Sequence, residues 1–217
     1  MFERHFRENC YRCFKPDLMC ICRDITPVAT RFRLLILQHP VESRRTISTA
    51  RIVSLSVTGS RLLVGVDFTN NSELARWVAP SEGPSYLVYP ERGAPQVEEL
   101  VEKEQGWPGL SPLFILIDGT WGQAKKIKNQ NPVLASIPRV GMRPDFESNY
   151  RIRKQPRANC LSTVEATALL LSKLEGPAFS SRPLLEVFDR MVDRQLAFKS
   201  TRPGRGLRLP APRPHSA

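Results

Sequence analysis

The chain is poor in histidine and lacks the familiar catalytic signatures. Three histidines occur in 217 residues, His5, His39 and His215, and two of them lie near the termini. None belongs to a H-E-x-x-H run or to a recognisable Ser-His-Asp arrangement, which sets aside the usual metalloprotease and serine-hydrolase chemistries. There is no G-x-G-x-x-G and no G-x-x-x-x-G-K-[ST], so the common dinucleotide and phosphate-loop sites are excluded. No apolar run approaches the roughly 18 residues that span a bilayer. The N-terminal Met1-Phe2-Glu3-Arg4-His5-Phe6-Arg7 lacks the apolar centre of a signal peptide, and a cytoplasmic protein without membrane contact is expected. Acidic residues are also in deficit. Asp and Glu number 21 against 32 Lys and Arg, giving a net charge of +11 and a pI near 9.9. A surplus of that size favours a polyanionic partner, most simply nucleic acid, through phosphate neutralisation. A basic surface with no dedicated partner is the plainer alternative.

Four of the five cysteines stand within 13 residues of one another, as Cys10, Cys13, Cys20 and Cys22, in the spacing C-x2-C-x6-C-x-C. In a reducing compartment four thiolates so close in sequence suit a closed, tetrahedral, structural zinc site, with free or redox-active cysteines as the alternative. The segment is too small for its own apolar core, so the metal would supply its folding energy. Cys160 stands apart and is expected to be a small core residue.

The remainder alternates strand-like and helix-like stretches, as an α/β domain does. Arg31–Gln38, Arg61–Asp67, Tyr86–Tyr89 and a short piece over Ile137–Val140 are expected as strands; Ile52–Val57 is apolar but of undecided class. Pro40 should keep the loop after Gln38 out of any sheet. Ser72 is the expected cap of a short helix over Glu73–Val78, and residues 95–105 are weakly helical. Ser162 and Glu165 form an S-x-x-E capping box ahead of a helix that ends at Gly176-Pro177. A second amphipathic helix covers Pro183–Leu196. Three parts result: residues 1–24 as the cysteine segment, 25–199 as the main domain, and 200–217 as a basic Pro- and Arg-rich tail expected to be disordered.

The stretch Leu113 to Ile127 organises the chain. Leu113-Phe114-Ile115-Leu116-Ile117 is continuously apolar, as in a strand covered on both faces, and it stops on Asp118-Gly119. Thr120 then offers an N-cap for a helix over Trp121–Lys128. An acid therefore stands at the C-terminal end of a central strand, where α/β proteins usually hold ligands. The plainer alternative is an ordinary strand-to-helix turn, with Asp118 as its cap. Trp121 is either a stacking surface for a base or a core filler beneath the strand.

These residues carry a resemblance. Asp118-x-Thr120-Trp121-x-x-Ala124 resembles the motif that names the DTW-domain family. The cysteine segment, Leu37-Gln38-His39-Pro40-Val41-Glu42, Thr49-Ala50-Arg51, Tyr150-Arg151-Ile152-Arg153-Lys154 and Leu161-Ser162-Thr163-Val164-Glu165-Ala166 are similar to its other blocks, in order. The resemblance implies a SPOUT-like parallel sheet with a C-terminal knot, plus the small N-terminal zinc knuckle. It also implies the activity of the bacterial type, a tRNA-uridine aminocarboxypropyltransferase. Such an enzyme moves the 3-amino-3-carboxypropyl group of S-adenosylmethionine to N3 of uridine 47 in tRNA and releases methylthioadenosine.

On that resemblance Asp118 is the expected base and Trp121 its catalytic neighbour. Gln38, His39, Glu42, Gly119, Thr120, Leu161, Ser162, Thr163 and Glu165 are the expected cofactor-site residues, although capping alone accounts for Glu165. Arg51, Lys125, Lys126, Arg151, Arg153 and Lys154 are the expected RNA contacts. Two further functions stay open: a methyltransferase of the same fold using the same cofactor, and a non-catalytic zinc-stabilised RNA-binding protein. Nothing in the sequence sets the oligomeric state or the tRNA species.

Overall fold

The structure, a computed structural model, describes residues 9–104, 107–144, 146, 148–152 and 160–200, with side chains to residue 198. The tail expected to be disordered, apart from Ser200, lies outside the described residues, as do Arg153 and Lys154. The elements run β1 (Arg33–Gln38), α1 (Pro40–Ser43), α2 (Ala50–Ser56), β2 (Ser60–Val64), α3 (Ser72–Trp77), β3 (Ser85–Val88) and α4 (Val97–Lys103). They continue as β4 (Leu113–Asp118), α5 (Trp121–Gln130), α6 (Pro132–Ser136), β5 (Arg139–Val140), α7 (Thr163–Glu175) and α8 (Arg182–Ser200).

The strands form one sheet of five in the order β2-β1-β4-β3-β5, every pairing parallel. Strand alternation distributes its apolar residues to two faces. Leu34, Ile36, Phe114, Leu116 and Tyr86 point into one core with Ile52 and Val53 of α2, Val97 of α4, Val164 and Leu171 of α7, and Phe188 of α8. Leu35, Leu37, Leu113, Ile115 and Leu87 point into the other, with Leu74 of α3, Ile127 of α5 and Leu134 of α6. Burial on both faces is why β1 and β4 read as unbroken apolar runs.

Several local outcomes depart from the sequence expectation. The undecided stretch Ile52–Val57 is mostly helical, as α2, where Ala50 with Val53 and Ile52 with Ser56 are buried at spacings of three and four. Asn71, not Ser72, caps α3, its side chain accepting from the Leu74 backbone N–H at 2.8 Å. Pro40 does keep its segment out of the sheet, but as the first residue of the one-turn α1. Cys160 is half-buried rather than a core residue. Ser162 caps α7 as expected, with the reciprocal Glu165 bond in place.

Connections diverge at the middle of the sheet. The chain leaves β1 for α2 on one face and then β2 on one side. It leaves β4 for α5 and α6 on the other face and then β5 on the other side. Adjacent parallel strands with connections diverging in this way open a crevice at their C-terminal ends. Gln38 and Asp118 are the last register pair of β1 and β4 and stand at that crevice.

The cysteine segment packs on the first core through Cys13 and Ile21. It is held to α8 by Asp24, which pairs with Arg194 at 2.6 Å and Arg190 at 3.3 Å, and by Arg194 Nη1 donating to the Cys20 carbonyl at 2.7 Å. Among the described residues no helix is long and apolar enough to cross a membrane.

Candidate functional site

Asp118 is half-buried at the end of β4, and both carboxylate oxygens already accept a hydrogen bond. Gln38 Nε2 donates to Oδ2 at 2.7 Å, and Thr163 Oγ1 donates to Oδ1. The His39 backbone N–H donates to the Asp118 carbonyl at 2.9 Å, extending the β1–β4 ladder one step past the strands. A carboxylate offers about four acceptor positions, so two remain for a substrate proton. The donors come from β1 and the first residue of α7, so segments more than forty residues away in sequence, in either direction, orient one acid.

The turn after Asp118 is tightly built. A Cβ on Gly119 would lie 3.0 Å from Gln123 Cβ, a tighter approach than nearly all Cβ contacts, so a larger residue there would push Gln123 aside. Gln123 is fixed there because its Oε1 accepts from the Thr120 N–H at 2.7 Å, while Thr120 Oγ1 accepts from the Gln123 N–H at 3.4 Å. Trp121, the first residue of α5, is 54% exposed, which removes the core-filling alternative for it. Its ring meets Tyr89 edge-on, centroids 6.4 Å apart, and Lys128 Nζ lies 5.1 Å from the Tyr89 ring. Exposed Lys125 is one turn along α5, on the Trp121 side; Lys126 is exposed beside it.

On the β1 side, His39 caps α1 by accepting from the Val41 N–H at its Nδ1, 3.2 Å away, which leaves the proton of a neutral ring on Nε2. Glu42 is buried and paired with Arg45 at 3.3 Å. The loop from Arg44 to Thr49 is held from three directions. Ser48 Oγ accepts from Gln38 Nε2 at 2.9 Å, the Ile47 carbonyl accepts from Tyr150 Oη at 2.5 Å, and the Thr46 carbonyl accepts from Lys15 Nζ. Lys15 is fully buried, and that burial lowers its ammonium pKa to about 8, against the attraction of the Cys13 sulfur. A recess of about 450 Å³ beside this loop is lined by Arg44, Arg45, Thr46, Ile47, Ile152 and Gln195.

The remaining expected site residues sort differently. Leu161 is half-buried next to Ser162, the buried cap of α7. The Glu165 carboxylate is buried and accepts from Ser162 N at 2.8 Å, Ser162 Oγ at 2.6 Å, Ser148 Oγ at 2.7 Å and Asn149 N at 2.7 Å. It organises the chain around the α7 start. Arg151 is largely buried and paired with Asp193 of α8 at 2.5 Å, and Arg51 is half-buried over the Phe14 ring, 4.6 Å from its centroid. Ser48, Lys15 and Tyr150 were missed by the sequence. Ser and Tyr carry no pattern of their own, and Lys15 gives no sign that it is buried.

The four clustered cysteines come together in space. Their sulfurs all lie within 4.8 Å of one another, with Cys10 to Cys22 at 3.6 Å and Cys13 to Cys20 at 3.8 Å. A tetrahedron of sulfurs at the zinc–thiolate length of about 2.3 Å has an edge of about 3.8 Å. The donor set and its dimensions therefore fit a tetrahedral thiolate-bound metal. Backbone N–H groups of Cys13 and Arg12 lower Cys10 to about 6, whereas burial raises Cys20 and Cys22.

The family model described as DTW domain matches residues 7–196. The chain is 30% identical over 194 residues to tRNA-uridine aminocarboxypropyltransferase 2 of Mus musculus, covering 88% of this chain and 64% of that protein. It is 35% identical over 175 residues to the Drosophila melanogaster protein of the same name, covering 78% and 68%. It is 25% identical over 215 residues to tRNA-uridine aminocarboxypropyltransferase A of Arabidopsis thaliana, covering 87% and 81%. The chain thus spans a little under two thirds of the mouse relative's length. No solved structure matches it.

Proposed function

The chain belongs to the DTW-domain family, and on that premise we propose that it transfers the 3-amino-3-carboxypropyl group of S-adenosylmethionine to N3 of a uridine in tRNA, releasing methylthioadenosine. The printed activity of its relatives supports the reading. The observation that carries it is Asp118, aimed by Gln38 and Thr163 at the crevice between β1 and β4 and keeping acceptor positions open.

When bound, S-adenosylmethionine supplies a sulfonium whose attached γ-carbon is electrophilic. Asp118 accepts the uridine N3 proton as N3 bonds to that carbon, and the carbon–sulfur electron pair leaves with the sulfur. Gln38 and Thr163 hold the carboxylate in the attack geometry, so little reorganisation is needed at the moment of transfer. Trp121 presents an exposed ring three residues from the base, suited to stacking on the uridine. Gly119, Thr120, Leu161 and Ser162 line the turn and helix start around Asp118, with His39 and Glu42 on the β1 side, and form the donor site in this reading. Lys125, Lys126, Arg51, Arg153 and Lys154 neutralise tRNA phosphates, with Arg151 bracing the segment from α8.

Three finer statements belong to the same proposal. Cys10, Cys13, Cys20 and Cys22 hold a structural zinc, which fits their spacing and the cytoplasmic, reducing location of the protein. A SPOUT-like knot at the start of α7 belongs to the same proposal; the position of β5 at the sheet edge and of Thr163 on Asp118 at the central strand end supports it. The product is that of the bacterial type, at uridine 47.

The test is to incubate unmodified tRNA with the protein and donor labelled either in the carboxyl carbon or in the methyl group. The carboxyl label is expected in tRNA and the methyl label in the small-molecule product. The reverse distribution makes the chain a methyltransferase.

A further inference from the structure

The cysteine segment carries a surface that neither a structural metal site nor Asp118 uses. Tyr11, Phe14 and Leu18 fall within eight residues and are 89%, 57% and 84% exposed. Among its described residues the segment buries Cys13 and Ile21 in the core and packs Cys10, Cys20 and Cys22 against it, while Tyr11, Phe14 and Leu18 face solvent. Arg12 and Arg23 of the same segment are exposed as well.

Phe14 is held there by an unfavourable backbone. Its φ is 57°, in the left-handed region that glycine adopts freely and bulky residues avoid. The turn is closed by the Phe14 N–H on the Cys10 carbonyl and the Cys10 N–H on the Lys15 carbonyl, each at 2.8 Å. Glycine would close the same turn without strain, while phenylalanine brings an outward ring. Strain retained at an exposed aromatic points to a use for that ring. The guanidinium of Arg51 lies 4.6 Å from its centroid.

This surface lies at the catalytic edge of the sheet. Arg51 is in the first turn of α2, which follows the C-terminal end of β1. Lys15 donates to the Thr46 carbonyl, in the loop whose Ser48 meets Gln38, the partner of Asp118. Exposed aromatic faces interleaved with cations are the chemistry that takes unpaired nucleotides: bases stack on the rings and phosphates meet the arginines. A duplex presents no free base faces, and the excess of basic residues disfavours a cationic partner.

We propose that Tyr11 and Phe14 form a stacking platform for unpaired bases of the RNA substrate, flanked by Arg12, Arg23 and Arg51 as phosphate contacts. The proposal rests on the reading of the chain as RNA-modifying and adds a second place where the substrate is held. The cysteine segment is then part of substrate recognition as well as a metal-held fold.

The experiment uses the full chain and unmodified tRNA, with affinity by fluorescence anisotropy over a salt series and bound zinc measured for each variant. Tyr11→Ala and Phe14→Gly are each expected to retain zinc and to bind about tenfold more weakly. Their slope of affinity against salt should match wild type, because no phosphate contact is removed, whereas Arg12→Ala should flatten it. Tyr11→Phe should restore binding. KM for tRNA should rise more than kcat changes. Phe14→Gly relieves the backbone strain, so its weakened binding cannot come from a misfolded turn. Unchanged tRNA affinity in zinc-replete Tyr11→Ala and Phe14→Gly overturns the proposal. So does a loss of self-association with RNA affinity intact, which assigns the surface to a second copy of the chain. Binding is measured apart from turnover, so a wild-type protein that binds tRNA without modifying it overturns the transfer reading, while the Tyr11 and Phe14 affinities still decide this one.

Discussion

Gln38 and Asp118 are joined twice, as the last backbone register pair of β1 and β4 and by Gln38 Nε2 donating to Asp118 Oδ2 at 2.7 Å. The same amide nitrogen reaches Ser48 Oγ at 2.9 Å, and Gln38 is fully buried. The acid is therefore aimed by a side chain that cannot itself wander, from the strand beside it.

Replacing that donor should lower turnover without emptying the site. Gln38→Leu keeps the bulk and removes both hydrogen bonds, and kcat should fall by about tenfold, about 1.4 kcal/mol of barrier. Gln38→Glu should be worse, since two adjacent carboxylates compete for one proton and neither is then a dependable base. Steady-state kinetics with tRNA and donor varied separately checks both, with the loss expected in kcat rather than in either KM.

Thr163 supplies the second donor to Asp118 from the first turn of α7. Thr163→Val removes the hydroxyl at nearly constant volume and should also cost about tenfold in kcat, while Thr163→Ser restores the donor and most of the rate. A double variant with Gln38→Leu should lose less than the product of the two single losses, because both act on one carboxylate. Rates for the four proteins measure that coupling.

The cysteine cluster should bind one zinc per chain, and Cys13→Ala or Cys20→Ala should lose it. Both variants and the chelated protein should melt earlier, since the segment's own apolar core is small, with Cys13 and Ile21 buried, and its other ties are a few polar contacts to α8 and Thr46. Metal analysis with thermal melts checks this, and a wild-type chain free of zinc at full stability contradicts it.

Trp121 is exposed, so Trp121→Ala should change stability by no more than about 0.5 kcal/mol. Its effect should fall on substrate: KM for tRNA should rise by about tenfold, with Trp121→Phe retaining much of the affinity. Melting curves beside kinetics separate the two.

Much of this arrangement was legible in the sequence. The unbroken apolar runs of β1 and β4 announced strands buried on both faces, the Ser162 and Glu165 pair announced the α7 start, and Asp118 stood where a strand had to end. The sulfur cluster was legible because four cysteines in the spacing C-x2-C-x6-C-x-C stand out from the rest of the chain. What stayed hidden was contact between distant segments. The Thr163 hydroxyl on Asp118 joins residues 45 apart, and no local pattern encodes it. The burial of Lys15 against the Thr46 carbonyl runs against the habit of lysines. Ile52–Val57 resisted assignment because a short apolar run suits a helix and a strand equally, and only packing against the sheet decides. Arg151 was expected as an RNA contact from its charge alone, and its pairing with Asp193, 42 residues away, carries no local pattern.

The most direct measurement is nucleoside mass spectrometry of unmodified tRNA incubated with S-adenosylmethionine and either wild-type protein or Asp118→Asn. The account predicts one aminocarboxypropyl-uridine per methylthioadenosine released with wild type. With Asp118→Asn it predicts normal tRNA binding and at least a hundredfold slower transfer. A methylated nucleoside from the wild-type protein, or transfer by Asp118→Asn at the wild-type rate, would contradict it.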